Sequence, residues 1–561
     1  MVCEDAAPFA FTCPIFERMN KKKLSATKTS SAVTDFDTIV VGAGFGGIYA
    51  VHKLRELGFS VQLFERGADI GGTWYWNRYP GARCDAPSMQ YSYQFSEELQ
   101  QDWEWPETYS TQGEILKYLD HVAERFSLRS AMQFNTSVES AIYDEGKNIW
   151  TVTTDRDDKV TARYCILATG CLSSKNTPDF PGLSDYTGEW FHTSNWPHEG
   201  TDFTGKTVGI IGTGSTGIQA IPVLAEQAAH LKVFQRTPQY STPARNGLMD
   251  KADEARIKAE YAAFRARNYR QPVAMDITID RSAPKTFEVS ESERLQTYEQ
   301  CWENGGLSFS VAFRDSSVNR DANEDVSKFI REKIAEIVKN PDTARALQPS
   351  HIYACKRPCL DTNYFETYNR PNVTLVDVSK NGVEKLTEKG IFANGEEHEL
   401  DCIVFATGFD AFTGSLNQID IRGKDHLRLK DKWSAGPRSY LGLQSADFPN
   451  LFTVTGPGSP SVLANMVTAI EQHVNWIGDC LNHMRDQGYA TVEALQSAED
   501  QWVEQVRMAA ERTLFTACDN WYQGANVPGK PRGFVPYVDW PGYVRICESV
   551  VEKTYEGFKF S

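Results

Sequence analysis

Two glycine-rich loops of the same type carry the residues in this chain whose spacing is best suited to chemistry. The first is Gly42-Ala-Gly-Phe-Gly-Gly47 and the second is Gly212-Thr-Gly-Ser-Thr-Gly217. Each follows an apolar run typical of a buried strand and precedes a stretch of helical character. The glycines permit a tight turn and bring backbone N–H groups, at the positive end of a helix, close to a pyrophosphate. The pair therefore predicts two bound dinucleotides, with electrons passing between them.

The residues at the end of each second strand distinguish the two loops, because that position faces the adenosine ribose in a Rossmann-type unit. After the first loop this residue is Glu65, whose carboxylate would accept hydrogen bonds from ribose hydroxyls but repel a 2′-phosphate. After the second loop it is Gln235, followed by Arg236 and Thr237, a cation and a hydroxyl that suit a phosphate. We expect FAD or NAD on the first loop and NADP on the second. The alternative is that Arg236 is a solvated surface residue.

The order of the elements predicts an α/β fold with two Rossmann-like dinucleotide-binding domains, the second of which contains a helical insertion. Apolar runs that end in Ala-Thr-Gly, at 164–170 and 402–408, are typical of the strands that close such domains. Helical spacing of apolar residues marks one face of 323–339, and a further helix is predicted over 465–485. The expected organisation is a flexible tail at 1–34, a first dinucleotide domain at 35–170 and 400–561, a second at 171–239 and 346–399, and the insertion at 240–345.

The composition restricts the class of partner. A net charge of −16 over 561 residues argues against a nucleic-acid or anionic-membrane partner, and no apolar run approaches the ~20 residues of a membrane span. Twelve cysteines without a Cys-x-x-Cys motif predict neither a disulfide framework nor a metal site, and they suit a reducing compartment. The missing motif also argues against a disulfide reductase. We therefore expect a cytoplasmic protein, monomeric or weakly oligomeric, that acts on a small molecule.

Two further motifs identify a family resemblance. The segment Tyr186-Thr-Gly-Glu-Trp-Phe-His-Thr-Ser-Asn-Trp-Pro197, just before the second loop, resembles the fingerprint of type I Baeyer–Villiger monooxygenases, with tyrosine in place of the first phenylalanine and His198 where an acid often follows. The segment from Gly71 to Asp85 is similar to the longer family signature of Gly-x-Trp, aromatic-Pro-Gly and Asp. The resemblance covers about residue 35 to the end and is nearest to the phenylacetone and steroid monooxygenase branch. Related N- and S-oxygenases usually lack the Trp-Pro ending.

The resemblance implies that the first domain binds FAD and the second binds NADP(H). The implied FAD-binding residues are Gly42, Gly44, Gly46, Gly47, Glu65, Thr73, Trp74, Asp85, Tyr91 and Val138. The implied NADP-binding residues are Thr213, Gly214, Ser215, Thr216, Gly217, Gln219, Arg236, Thr237, Lys356, Arg357 and Trp521. As a bare tryptophan, Trp521 would more often belong to a core, but it resembles a family residue that contacts the nicotinamide ribose from a mobile loop.

The resemblance also implies a catalytic pair. Family members place an arginine that faces the flavin directly after a lysine, which here gives Lys356 and Arg357, with Asp85 holding the guanidinium. On residue type alone, two adjacent cations are usually solvated and such an aspartate usually caps a helix or a turn. Residues 455–463 lie where the family shapes its ketone pocket. For His192, in the linking segment, a structural role is favoured over acid–base chemistry, because no placement near a substrate proton follows from the sequence.

The implied activity has a physical logic. NADPH reduces FAD, and the reduced flavin and O₂ form a C4a-peroxide that attacks a ketone to give an ester or lactone; sulfides are a further substrate class. Attack on a carbonyl requires the anionic peroxide, which a permanently charged Arg357 would stabilise. One alternative is an N- or S-oxygenating flavin monooxygenase. The other, a flavin-binding protein without turnover, is disfavoured by the intact Arg357, Asp85 and NADP loop.

Overall fold

The computed structural model describes residues 33–176, 179–277 and 283–561. The expected N-terminal tail therefore lies, apart from its last two residues, outside the described residues. The strands are β1 Phe36–Val41, β2 Val61–Phe64, β3 Met132–Gln133, β4 Val138–Asp144, β5 Ile149–Thr154, β6 Lys159–Leu167, β7 Glu189–His192, β8 Thr207–Ile211, β9 His230–Gln235, β10 Ser241–Pro243, β11 Cys359–Asp361, β12 Val373–Asp377, β13 Lys385–Leu386, β14 Gly390–Ala393, β15 Glu396–Glu399, β16 Cys402–Phe405, β17 Asp420–Arg422, β18 Leu451–Thr453, β19 Val492–Ala494 and β20 Phe558–Phe560.

The α-helices lie between and around these strands. They are α1 Phe45–Glu56, α2 Thr73–Trp76, α3 Glu97–Asp102, α4 Gln112–Arg125, α5 Ser215–Gln227, α6 Lys251–Ala259, α7 Tyr261–Tyr269, α8 Glu291–Asn304, α9 Arg320–Ile337, α10 Pro341–Leu347, α11 Tyr364–Thr367, α12 Gly414–Asn417, α13 Leu429–Lys432, α14 Met466–Gln487, α15 Gln496–Glu511 and α16 Trp540–Glu552. No helix in the described ranges combines the length and apolar character needed to cross a membrane.

The first sheet has the order β17-β4-β5-β6-β1-β2-β3, and β18 also pairs with β6. Strand β1 pairs in parallel with β2 on one side and β6 on the other. Its central residues Ile39 and Val40 are fully buried, as expected for a parallel strand covered on both faces. The first glycine loop leads from the end of β1 into α1, so it opens at the carboxyl edge of this sheet, where ligands of such folds bind.

The second sheet has the order β12-β9-β8-β16-β7, and all its pairs are parallel. The second glycine loop leads from β8 into α5. These two sheets with their flanking helices confirm the predicted α/β class with two dinucleotide-binding units.

One predicted boundary is wrong. The expected return to the first domain at residue 400 comes too early, because β16 pairs with β8 in the second sheet. The two Ala-Thr-Gly runs are equivalent in position: β6 lies beside β1, and β16 lies beside β8. Each run therefore closes its own sheet, and the chain returns to the first unit only after Phe405.

The inserted region contains α6 to α10, between the paired strands β10 and β11. On α9, Val326, Phe329, Ile330 and Ile334 are buried on one face, as the spacing predicted. They belong to the same apolar cluster as Val208 of the second sheet. The insertion therefore shares its core with the second dinucleotide-binding unit.

After Phe405 the chain adds β17 and β18 to the first sheet, and α14 then packs against α1 of the same unit. This helix begins after Asn465, whose side chain accepts a hydrogen bond from the Val467 amide and so caps the helix. The observed span of α14 agrees with the helix predicted over 465–485.

Candidate active site

A large cavity of about 1810 Å³ lies between the carboxyl edges of the two sheets. Its lining includes residues of both glycine loops, of the inserted region, and of the segments around Arg357 and Trp521. A pocket for one small ligand usually measures roughly 300–1,000 Å³. The cavity therefore has room for more than one small ligand, and its two ends differ in chemistry.

The first glycine loop forms one end of the cavity. Gly42 has φ +101°, and a Cβ there would lie 2.7 Å from the Ala168 carbonyl oxygen. At Gly47 a Cβ would lie 1.8 Å from the Gly42 carbonyl oxygen, so this glycine allows α1 to pack closely against the turn. Gly44 and Gly46 line the cavity. Within one loop, some glycines thus serve the fold and others leave space for a ligand.

The second loop repeats this arrangement. Gly212 has φ +111°, and a Cβ at Gly217 would lie 2.2 Å from the Gly212 carbonyl oxygen. At Gly214 a Cβ would meet nothing within 4 Å, because this residue faces the open cavity. Gly214 is the N-cap of α5, whose first backbone amides lack intrahelical acceptors, and such a helix start is suited to binding an anion.

Most residues predicted to contact a dinucleotide line the cavity. These are Gly42, Gly44, Gly46, Glu65, Thr73, Trp74, Asp85, Tyr91, Val138, Thr213, Gly214, Ser215, Thr216, Gln219, Arg236, Thr237, Lys356, Arg357 and Trp521. Gly47 and Gly217 do not line it, and their contact with a cofactor stays a prediction. Their place is the close packing of helix on turn, which the motif also requires.

Glu65, at the end of β2, is buried beside the first loop. Its two carboxylate oxygens accept hydrogen bonds from the Ala43 and Gly67 amides, each at 2.7 Å. The carboxylate is thus fixed against the loop at the cavity wall. A negative charge at this point suits ribose hydroxyls and disfavours a phosphate.

The corresponding position in the second unit is different. Gln235 is buried and its side-chain amide donates to the Ala346 carbonyl at 2.8 Å, away from the cavity. Arg236 and Thr237 are exposed at the cavity wall. Burial lowers the pKa of Lys356, and the charge of Arg236 lowers it further. Two cations held this close favour an anionic ligand between them.

The Asp85 carboxylate and the Arg357 guanidinium meet at the centre of the cavity. Nε and Nη2 of Arg357 each lie 2.8 Å from Oδ2 of Asp85, and Nη1 donates to the Val462 carbonyl at 2.8 Å. The exposed fraction of the Arg357 side chain is 32% and that of Asp85 is 25%. The carboxylate raises the pKa of Arg357 still further above its usual value. The arginine is therefore a fixed positive charge with a partly open face.

Two partners of Arg357 were not predicted from the sequence. One is the Val462 carbonyl, which lies in the 455–463 segment but acts through its backbone, so its side chain gives no indication of it. The other is the hydroxyl of Tyr522, which faces the guanidinium; burial raises the pKa of this tyrosine to about 12, and the arginine charge opposes that rise. Its position next to Trp521 is the feature of the sequence that could have suggested it.

Trp521 begins a short 3-10 helix capped by Asn520. Its ring stacks on Phe412, with the ring centroids 5.4 Å apart. The tryptophan is half-buried: it lines the cavity and also packs against the apolar cluster that contains Phe412 and Val462.

A disulfide joins Cys355 to Cys518 beside this site. The cysteine pattern had predicted no disulfide framework. The difference arises because the two cysteines are 163 residues apart, and only the fold brings their Cα atoms to 6.1 Å.

Of the remaining predicted residues, Gln219 connects the two units and Trp74 makes a contact within the first. The Gln219 side chain accepts a hydrogen bond from the Tyr79 hydroxyl at 2.8 Å and donates to the Arg83 carbonyl at 3.1 Å. It thereby links α5 to the loop that carries Asp85. On the other side of the cavity, Nε1 of Trp74 donates to the Tyr91 hydroxyl at 3.2 Å.

His192 ends β7 and does not line the cavity in the described residues. Its Nδ1 accepts a hydrogen bond from the Ser194 amide at 3.2 Å, and its Nε2 lies 3.1 Å from the Thr407 hydroxyl. Burial lowers its pKa, which favours the neutral ring. These contacts fit the structural role favoured for it.

Comparisons with known proteins agree with this geometry. The chain matches the family model described as pyridine nucleotide-disulphide oxidoreductase over residues 39–284, which include both glycine loops. It is 43% identical to a Baeyer–Villiger monooxygenase from Pseudooceanicola batsensis over 95% of this chain and 96% of the relative. Identity is 42% to a cyclohexanone 1,2-monooxygenase from Acinetobacter sp. (93% and 96% covered) and 41% to a phenazine N-monooxygenase from Lysobacter antibioticus (94% and 97%).

Solved structures show the same similarity. An oxidized steroid monooxygenase bound to NADP matches with a TM-score of 0.89 and 47% identity, over 94% of this chain and 99% of that one. The OTEMO complex with FAD and NADP matches with a TM-score of 0.91 and 39% identity, over 94% and 100%. The family resemblance noted in the motifs is thus confirmed. The chain belongs to the Baeyer–Villiger monooxygenase family.

Proposed function

We propose that this protein is an FAD-containing, NADPH- and O₂-dependent monooxygenase that converts ketones to esters or lactones. The observation that carries the proposal is the position of Arg357. Its guanidinium faces the cavity between the two glycine loops, and Asp85 and the Val462 carbonyl hold it there. Family membership supports the reaction class, and this geometry supports the role of the arginine.

The residues present fit both cofactors. At the first loop the Glu65 carboxylate suits the adenosine ribose of FAD, while Gly44 keeps the wall open where a pyrophosphate would approach. At the second loop Gly214 leaves equivalent space for the pyrophosphate of NADP. When bound, reduced FAD would activate O₂ and NADPH would supply the hydride; the protein contributes position, charge and exclusion of water.

The second loop would select NADP over NAD through three side chains. Arg236 and Lys356 supply positive charge, and Thr237 supplies a hydroxyl next to them. The Thr237 carbonyl accepts a hydrogen bond from the Thr213 hydroxyl at 3.0 Å, which fixes this turn against the loop. A 2′-phosphate placed here would relieve the repulsion between the two cations, and this relief favours the phosphorylated cofactor.

Arg357 would act on the reacting oxygens. Attack on a ketone carbonyl requires negative charge on the attacking oxygen and transfers it to the carbonyl oxygen. A guanidinium already oriented by Asp85 stabilises both without a protonation step. Removal of a single oxyanion donor elsewhere costs ~3–4 kcal/mol, and we assign Arg357 a contribution of about that size.

The ketone would lie beside Arg357, against the 455–463 segment and the inserted region. Thr455 and Val462 of that segment line the cavity, and so does Met275 of the insertion. Val462 and Met275 contribute apolar side chains to this lining, which suits a small ketone or a sulfide. We expect the enzyme to work in the cytoplasm as a monomer or weak oligomer.

A second candidate activity is N- or S-oxygenation. It is favoured by one specific observation: a relative 41% identical to this chain is a phenazine N-monooxygenase. Similarity at this level therefore does not separate oxidation of a ketone from oxidation of a ring nitrogen.

One experiment separates these activities. Purified protein with bound FAD is supplied with NADPH, O₂ and, in turn, phenylacetone, methyl phenyl sulfide and phenazine, and each product is quantified against NADPH consumed. Ester from phenylacetone supports the proposal, whereas N-oxide or sulfoxide without ester supports the second candidate. We expect Arg357→Ala to keep NADPH-dependent FAD reduction and to lose ester formation by at least about 100-fold. If its ester yield equals that of the wild type, the role assigned to Arg357 is wrong.

A further inference from the structure

The disulfide between Cys355 and Cys518 connects two segments that meet at the cavity. We call residues 354–359 the arginine segment and residues 514–535 the tryptophan segment. Cys355 directly precedes Lys356 and Arg357, and Cys518 lies three residues before Trp521. The bridge therefore ties the residues proposed for the 2′-phosphate and for the reaction to the residue predicted to contact the nicotinamide ribose.

Few other contacts hold these two segments together. The Asn520 side-chain amide donates to the Cys355 carbonyl at 2.8 Å, and the Tyr522 hydroxyl faces Arg357. Several other contacts of the tryptophan segment go to residues 409–412: Trp521 stacks on Phe412, and the Asn526 side chain donates to the Phe409 carbonyl at 2.7 Å. A covalent link between the two segments therefore has a specific consequence, since it restricts how far Trp521 can move away from Arg357.

We propose that Cys355 and Cys518 are positioning residues whose disulfide holds the tryptophan segment against the arginine segment and thereby retains NADP⁺ in the cavity. This proposal rests on the proposed function, in which NADP⁺ occupies the second loop. Without the bridge, cofactor binding must itself order the tryptophan segment, at a cost in conformational entropy.

The link can be opened by a dithiol. Cys518 is partly exposed whereas Cys355 is buried, so the external thiolate attacks the Cys518 sulfur and Cys355 leaves as a thiolate. The second thiol of the reductant then displaces Cys518. Two electrons and two protons pass from the dithiol to the two cysteines, and the dithiol closes to a cyclic disulfide. In a reducing compartment such a bridge would be transient, so that NADP⁺ retention would follow the thiol–disulfide balance.

The test compares NADP⁺ binding by the FAD-loaded, full-length protein before and after treatment with dithiothreitol. Mass spectrometry after alkylation of the denatured protein counts the protected cysteines. The double variant C355S/C518S gives the permanently open form, and Cys301→Ser, which alters a buried free cysteine in the insertion, is the matched control. We expect two of the twelve cysteines to be protected before reduction. Reduction, or the double substitution, should raise the Kd for NADP⁺ about tenfold, which corresponds to about 1.4 kcal/mol.

The FAD content should stay unchanged, and dithiothreitol should have no further effect on C355S/C518S. A bridge with only a general structural role would lower thermal stability and FAD content without a selective change in the Kd for NADP⁺. If all twelve cysteines react without reduction, or if the reduced and bridged wild-type proteins bind NADP⁺ equally, the proposal is overturned. If neither form binds NADP⁺, the proposed function fails as well. Reduced wild-type protein gives the decisive comparison should the double variant not fold.

Discussion

The contact between Asp85 and Arg357 offers the sharpest test of the proposed site. Asp85 does not need to touch a reactant; its predicted task is to fix the guanidinium through two contacts of 2.8 Å, from Nε and Nη2 to the same carboxylate oxygen. In Asp85→Ala the arginine would keep only its hydrogen bond to the Val462 carbonyl and its contact with Tyr522. The guanidinium would remain positively charged, but its orientation in the cavity would no longer be fixed.

The size of the effect can be worked from the geometry. Two unit charges ~4 Å apart interact by about 4 kcal/mol at an effective dielectric constant of ~20. The side chains are 32% and 25% exposed, so screening by solvent reduces this to about 2 kcal/mol. If the transition state loses this 2 kcal/mol of stabilisation when the guanidinium is no longer oriented, the rate of the reaction falls about 30-fold. This is smaller than the loss expected for Arg357→Ala, as it must be for a residue that acts through Arg357.

The assay measures two steps separately. Anaerobic reduction of FAD by NADPH, followed by absorbance, should change little in Asp85→Ala, whereas the rate of ester formation should fall about 30-fold. The matched control is Glu107→Ala. Glu107 pairs with Arg83 at 2.8 Å, with exposed fractions of 29% and 23%, so the control removes a comparable ion pair from the same loop. It should reduce thermal stability without a selective loss of ester formation.

The double variant of Asp85 and Arg357 tests whether the aspartate acts only through the arginine. If Asp85 acts only through Arg357, then Asp85→Ala combined with Arg357→Ala should be no worse than Arg357→Ala alone. Additive losses would refute the positioning role. An increase in ester formation in Asp85→Ala would refute it as well, because it would show that the carboxylate merely weakens the field of the arginine.

Three further predictions concern the loops and the core. Lys356→Ala should raise KM for NADPH by about tenfold and change KM for NADH far less, because one charge-assisted hydrogen bond contributes ~1.5 kcal/mol. Equal changes in the two KM values in steady-state assays would argue against a phosphate contact. Gly214→Ala should fold normally but bind NADP⁺ more weakly in calorimetry. Gly217→Ala would place a Cβ 2.2 Å from a carbonyl oxygen and should therefore lower the thermal midpoint of unfolding. The reverse pattern would contradict the roles assigned to these two glycines. Burial raises the pKa of Glu471 from 4.5 to about 7, so the carboxyl stays protonated to a higher pH in the folded protein than in the unfolded chain. The folded protein therefore loses about 3 kcal/mol of stability as the pH rises from about 4.5 to about 7. Glu471→Gln should therefore stabilise the protein at pH 8 but not at pH 4 in denaturant titrations, and an equal effect at both pH values would refute this assignment.

The two glycine loops show how much of the structure can be predicted from a local sequence motif. Their spacing predicted the turns, the helices that follow and the sheets behind them, because a Gly-x-Gly-x-x-Gly motif between a strand and a helix has few other conformations. The same motif did not separate glycines that face the cavity from those that face the protein. The sequence does not distinguish Gly217 from Gly214, and only the atoms that an added Cβ would meet at each position show the difference.

The second Ala-Thr-Gly run shows a different limit. The sequence correctly predicted that 402–408 closes a dinucleotide domain, yet it could not tell to which sheet the strand belongs. Strand pairing is a long-range property: Cys402 pairs with Val208, almost two hundred positions earlier. The boundary assigned at residue 400 was therefore misplaced by the length of one strand.

What the sequence determined by itself was the class of the molecule. Three local patterns can be interpreted without a structure: the two glycine loops, the difference between Glu65 and the pair Gln235-Arg236 at the ends of the second strands, and the motif that ends in Trp196-Pro197. The tertiary structure alone decided which side chains meet. Asp85 reaches Arg357 across 272 positions, and Cys355 reaches Cys518 across 163. Such pairs depend on how two sheets and an inserted helical region pack, and packing is a property of the whole chain rather than of any segment.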